Sequence, residues 1–429
     1  MAVISRTYQS PPLTKVWTFK RMTHFIVTSI GTFGDIYPYA QVALGLKNLG
    51  YKTTFITNPY FEEFIAQCGL DFHPLGTKNQ YLDVIQNDKL WDDKSFLEVT
   101  LNLFLPNING ISDYISQCPT DEKFIILAHQ NLLVNCEMAR IQHQNKVTVI
   151  CGALYPSVFG EEEKSENIQL PNQKKFSDSP LIAPVNIARQ KIGLTPISSY
   201  KNLFTDIASF NVLFFSDWFG SKEKHWPDNL INGEFIYNES LQQEDFPDSL
   251  KHFLKSNKKP ILFTFGTGNL HCQDQFKYAQ EIAEKLDYPA IFICKDKNIF
   301  PQNLPDSVLT LEYCKNFQAL LKECSLIVHH GGIGTLAEAA RAGTPQIIIP
   351  SLGDQWDNSA RVERLQLGLS IPGNELNSSK LFDAVNTIFE SATIRNKCAE
   401  LSLEITERIH AADIAKNIVK CLSDAKVLD

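Results

Sequence analysis

The stretch "SLIVHHGGIGTLAEAARAGTPQIIIPSLGDQWDNSARV", Ser325–Val362, reads as strand, glycine-rich turn, helix, strand and second turn. An apolar run (325–330) leads into Gly331, Gly332 and Gly334, then an Ala-rich helical segment, then a β-branched run (345–350) ending at "PSLGDQWDN" (350–358). Short apolar strands alternating with helices are the pattern of a parallel, doubly wound sheet. Ligands of such sheets bind at the carboxyl ends of strands, where both turns fall. The first turn also opens a helix, whose unpaired amides attract anions, and its glycines let the backbone approach a phosphate closely. Thr335 supplies a hydroxyl and His330 a ring donor. Taken alone, "GGIGT" equally fits a tight turn capped by Thr.

Two familiar phosphate loops do not fit. No Lys follows these glycines as a P-loop requires, and "SIGTFGD" (29–35), after the first strand pattern, has only Gly31 and Gly34 of a dinucleotide fingerprint. The constellation is larger: Glu338 lies on the helix after His330, and Asp354 and Gln355 lie in the second turn.

The alternation extends outward. Strand-like runs at 24–30, 52–57, 123–129 and 146–152 flank a helical segment at 36–50, and further runs at 260–266, 289–294 and 307–313 accompany a helix at 273–286. The expectation is α/β with two parallel sheets in sequence order: an extension (1–21), an N-terminal Rossmann-like domain (22–235), a C-terminal one (236–405) and a last helix (406–429). The polar stretch 160–184 reads as a long surface loop and 226–250 as the connection between halves. Residues 1–21 carry four basic and no acidic groups but no continuous apolar core, and read as a frayed extension before Met22.

Composition narrows the class. With 44% hydrophobic residues and a mean hydropathy of -0.15 the chain is globular, and a net charge of -8 makes nucleic acid an unexpected partner. Ten cysteines without a C-x-x-C pair read as thiols in a reducing cytoplasm. None of the Asp residues forms a D-x-D pair of the kind that chelates Mg²⁺ against phosphates, so no metal is expected.

Ser325–Val362 closely resembles the donor-binding signature of the family-1 nucleotide-sugar glycosyltransferases (the UDP-glycosyltransferase superfamily), in particular the bacterial macrolide, sterol and rhamnolipid-type branch. "TSIGTFGDIYPYAQVALGLKNLGYKTTFIT" (28–57) resembles the family's opening G-x-x-G-D-[VI]-x-P segment, "SDWFG" (216–220) its "PDW" region, and "PILFTFGTGNLHCQDQF" (260–276) its "FTFGS" strand. The resemblance runs from about Met22 to Leu428. It implies a GT-B fold, two Rossmann-like domains facing across a cleft, with the last helix crossing back to the first. It implies a UDP- or dTDP-sugar donor with no further cofactor, and transfer of a hexose, glucose or a deoxyhexose such as rhamnose, to a small, largely apolar acceptor. A lipophilic acceptor would bring the protein against a membrane surface.

Carried over residue by residue, the resemblance gives His330 to the donor pyrophosphate, with Gly332, Gly334 and Thr335 around it. Glu338 falls to the ribose, Asp354 and Gln355 to the sugar hydroxyls, and Gly266 with Thr267 to the donor-side turn. Tyr313 stands at the base-stacking position, but "EYCKNF" (312–317) has Lys315 where the family has Pro. Asp35 matches the general base, with His129 as the next candidate.

Blander readings stand beside these. Asp35 suits a helix cap, His129 a structural histidine, His329 buried support by strand periodicity, and Trp356 core packing as readily as a sugar pocket. A GT-B-like nucleotide-sugar epimerase and a non-catalytic nucleotide-sugar-binding subunit are the rival functions.

Overall fold

The computed structural model describes residues 22–91, 96–160, 180, 182–237, 245–266, 272–405 and 411–428. The extension 1–21, most of the 160–184 loop and Thr267 lie outside the described residues.

Two sheets, parallel throughout, organise the chain. The first holds β1 (Thr23–Thr28), β2 (Lys52–Thr57), β3 (Asp71–Pro74), β4 (Lys123–His129), β5 (Val147–Ala153), β6 (Phe210–Leu213) and β7 (Leu230–Ile231), in the order β3-β2-β1-β4-β5-β6-β7. The second holds β8 (Ile261–Thr264), β9 (Ala290–Ile293), β10 (Val308–Leu311), β11 (Leu326–His329), β12 (Gln346–Ile348) and β13 (Gly368–Ser370), in the order β10-β9-β8-β11-β12-β13. Central strands are buried on both faces, which is why they are continuous apolar runs: Phe25, Ile26 and Val27 of β1, and Leu326, Ile327 and Val328 of β11, are fully enclosed.

The strand orders fix where a site can form. In each sheet the chain starts at the centre, runs to one edge and returns to the other side of the first strand. The switch points are therefore β1/β4, paired through Thr28 and Ala128, and β8/β11, paired through Thr264 and His329. Helices diverge there, and a crevice opens beyond the strand ends.

The segment 226–250 differs from a plain connection. It contains β7, which pairs with β6, and Trp226, Ile231 and Phe235 are buried, so this part belongs to the first sheet's domain. The helix Ala411–Asp424 packs on Phe33–Asn48, with Ile414, Ala415, Ile418 and Leu422 fully buried along one stripe. The two halves also meet through Arg361, on the helix Gln355–Arg364. Its guanidinium donates to the Phe219 carbonyl (3.2 Å) and to Asp357 (2.7 Å) and lies 3.6 Å from Glu223. No described helix is long and apolar enough to cross a membrane.

Candidate active site

The second sheet builds its part of the cleft from backbone. Gly332 is the N-cap of the helix Ile333–Ala342, and Leu336 is the first residue whose amide bonds back, to the Gly332 carbonyl (3.1 Å). The amides of Ile333, Gly334 and Thr335 precede that bond and point out of the helix start. Thr335 sits at the third helical position, inside the helix, and Gly332 holds the N-cap, so Thr335 is not the capping residue of this turn. Gly334 has open space where a Cβ would stand, and Glu338 is half-buried one turn further along.

His330 lies in a slot that only glycines permit. A Cβ on Gly332 would come within 2.5 Å of its Nε2, and one on Gly266, at φ +94°, within 3.0 Å. The glycines of two separate turns are thus explained by one imidazole. Burial pushes His330 down to about 4, so the ring is neutral near pH 7, and its Nδ1 has no hydrogen-bond partner among the described residues. His329 faces the other way, fully buried: it pairs with the Gln346 side chain (2.9 Å) and accepts the Gly331 amide at Nδ1 (3.2 Å).

The second turn is tied to the first. The Gln355 amide oxygen accepts from the Ser351 (2.9 Å) and Leu352 (3.2 Å) amides, which leaves its NH₂ group as the end able to meet a ligand. Asn358, one turn on, donates to the Gly331 carbonyl (2.9 Å) and the Asp354 carboxylate (2.7 Å), clamping the two turns together. The sequence reading missed Asn358, although its i+4 spacing from Asp354 marks a shared helix face. Burial in the cleft and the charge of Asp35 push the Asp354 carboxyl up to about 7. Trp356 is 40% exposed, which excludes the core role. Tyr313 is 52% exposed beyond β10, three strand spacings or roughly 14 Å from β11.

The first sheet contributes side chains. Asp35 lies in the first turn of Phe33–Asn48, whose N-cap is Thr32. Its Oδ2 accepts from the Thr32 amide (2.7 Å) and hydroxyl (3.0 Å), while its Oδ1 is 3.5 Å from His129 Nε2. The cap reading and the base reading are therefore compatible, because each uses a different oxygen. His129 Nδ1 accepts from the Asn131 amide (3.2 Å), so the neutral ring carries its proton on Nε2, facing Asp35. Tyr39 supports the ring from beneath at 5.7 Å between centroids and donates to the Gly152 carbonyl (2.7 Å), an approach a side chain at 152 would block.

Asp35 and His129 thus meet at the β1/β4 switch point, His330 and Gly266 at the β8/β11 one, and Asp35 is in electrostatic reach of Asp354. Gln130 and Tyr155, at the ends of β4 and β5, line the same space and were not singled out from sequence.

Residues 284–421 match the family described as erythromycin biosynthesis protein CIII-like, C-terminal domain, and residues 25–104 match the glycosyltransferase family 28 N-terminal domain. The sterol 3-beta-glucosyltransferase UGT80A2 of Arabidopsis thaliana is 24% identical, over 94% of this chain and 66% of its own length. The chain spans only 25% and 26% of two further relatives, from Dictyostelium discoideum and Debaryomyces hansenii. Among solved structures, the glycosyltransferase of kitacinnamycin superposes with a TM-score of 0.71 at 16% identity, covering 94% of this chain and 100% of its own. The spinosyn rhamnosyltransferase SpnG complexed with thymidine diphosphate gives 0.62 at 15%, covering 92% and 100%. The two facing parallel sheets are the GT-B fold, and the chain is a glycosyltransferase similar to the family-1 enzymes of the UDP-glycosyltransferase superfamily.

Proposed function

We propose that the protein is an inverting, metal-independent hexosyltransferase that moves a sugar from a UDP- or dTDP-linked donor to a hydroxyl of a small, largely apolar acceptor. The observation that carries this reading is the opposition of the two switch points: a carboxylate with a free face and a histidine neighbour on one sheet, and a helix start with a glycine-walled imidazole on the other. The donor diphosphate is placed at the amides of Ile333–Thr335 and at His330, where the helix dipole and ring meet the charge that develops on the departing nucleotide. Asp354 and the Gln355 amide group hold sugar hydroxyls, Glu338 the ribose, and Tyr313 the base. Asp35 Oδ1 takes the acceptor proton as the oxygen attacks the anomeric carbon from the side opposite the nucleotide. His129 Nε2–H then faces the protonated carboxyl and fixes its orientation.

The apolar character of the acceptor is supported by the relatives, one acting on sterols and one named for a spinosyn. Thymidine diphosphate in the second supports a nucleotide-diphosphate donor at this site. Asp35→Asn tests the reading. The amide can still accept from the Thr32 amide, so the fold persists, but its NH₂ group then opposes the His129 Nε2–H and has no proton affinity. Turnover should fall by about 10²–10⁴ with donor affinity little changed. Near-full turnover would reduce Asp35 to a cap.

A further inference from the structure

Gln130 is a buried cleft residue for which the described chain supplies no partner. It follows His129 at the end of β4, is 2% exposed, and neither its amide oxygen nor its amide nitrogen has a hydrogen-bond partner among the described residues. Buried amides are almost always paired, because leaving one unpaired forfeits its hydration for nothing. The amide lies beside the Tyr155 phenol and acts on it as a hydrogen-bonding neighbour that lowers its pKa, although the two groups do not meet full hydrogen-bond geometry. Tyr155 in turn is in electrostatic reach of Asp354, Tyr200 and Asp35. Burial and those neighbours push the phenol well above its ordinary range, so it keeps its proton and acts as a donor.

The hydrogen-bonding capacity on this wall identifies its occupant. The amide offers two donors and an acceptor, and the phenol beside it, which is in electrostatic reach of both Asp35 and Asp354, adds a donor. A largely apolar acceptor brings one reacting hydroxyl, and Asp35 takes that one. A hexose brings several hydroxyls, each a donor and an acceptor, and can satisfy the amide and the phenol together.

We propose that Gln130, with the Tyr155 phenol beside it, forms a sugar subsite on the first sheet that holds a hydroxyl of the transferred hexose across from Asp354. The proposal rests on the nucleotide-sugar reading above. It makes the wall after β4 and β5, and not the second sheet alone, a determinant of which sugar is accepted. A site built to bond a hydroxyl discriminates strongly against a sugar lacking it, because the amide would then stay buried and unpaired.

The test is calorimetric titration of wild type, Gln130→Leu and Tyr155→Phe with UDP, UDP-glucose, dTDP and dTDP-rhamnose. The expected result is nucleotide affinity within about twofold of wild type for both variants. The nucleotide sugar that wild type binds best should bind Gln130→Leu about tenfold more weakly and Tyr155→Phe severalfold more weakly. Tyr155→Phe removes a single oxygen and keeps the test valid should the Leu variant fold poorly. An equal loss for nucleotide and nucleotide sugar, or no loss for either, overturns the subsite. Wild type that binds neither UDP nor dTDP overturns the donor-binding reading itself, a result distinct from either of those.

Discussion

The two walls of the cleft use opposite materials. The second sheet presents backbone: three glycines, the first amides of a helix and a neutral imidazole, held by Asn358 and by the back-bonded Gln355 amide. The first sheet presents side chains from three strand ends, Asp35, His129, Gln130 and Tyr155, with a carboxylate as its charged group. A diphosphate can be held by fixed dipoles that need no proton and no cation, whereas proton removal needs a group of adjustable protonation. The same division separates what must be rigid from what must titrate.

Breaking the second wall first should give the largest change in donor affinity. His330→Ala removes one ring donor to a charged diphosphate and should weaken UDP or dTDP binding about 10- to 100-fold by calorimetry. Gly332→Ala should do the same by driving the imidazole from its slot, with Asp35 chemistry untouched. Equal affinity in all three proteins would dissolve the contrast between the walls.

Asn358→Ala sharpens it. The clamp between the Gly331 carbonyl and Asp354 is lost, and a denaturant titration should show about 1–3 kcal/mol of lost stability, with donor affinity reduced less than by His330→Ala. An unchanged midpoint would mean the turns hold their shape without it.

The smallest effect is in pH dependence. Asp354 titrates near 7 in the folded chain and near 4 unfolded, so the stability of its protonated form is complete below about 4 and is lost as pH rises through 7. Asp354→Asn should therefore gain stability relative to wild type across that window and no further above it, as followed by thermal unfolding in buffers from pH 4 to 8. His330 and His329, pushed down to about 4 and about 3, act oppositely in both proteins: they cost stability as pH falls below about 6.5. The difference between variant and wild type isolates the carboxyl, and a difference that does not vary with pH would contradict the assignment.

The same contrast explains what was legible in the sequence. The second wall comes from one continuous stretch, Ser325–Val362, so its glycines, His330 and Asp354 could be read together. On the first wall, Asp35 and His129 are brought together only by the β1/β4 pairing. Gln130 and Tyr155 carry no motif at all. Their significance lies in an unpaired buried amide, a property of the fold. Among strands, β4 and β2 were read to the residue, but β3, β6, β7 and β13 were not. Asp71–Pro74 is half-exposed with a terminal Pro, and Leu230–Ile231 is two residues long, so pairing with neighbours and not local pattern makes them strands. The helix from Phe33 starts earlier than the apolar period at 36–50 suggested, because the Thr32–Asp35 box fixes its first turn.

Opposed walls imply a single displacement, and the configuration of the product reports it directly. Transfer from a nucleotide sugar bound by the wild-type protein to a sterol or macrolide acceptor, run with EDTA throughout, should yield a glycoside whose anomeric configuration, read by NMR, is opposite to that of the donor. A product that retains the donor's configuration, or transfer that appears only when Mg²⁺ or Mn²⁺ is restored, would contradict the account.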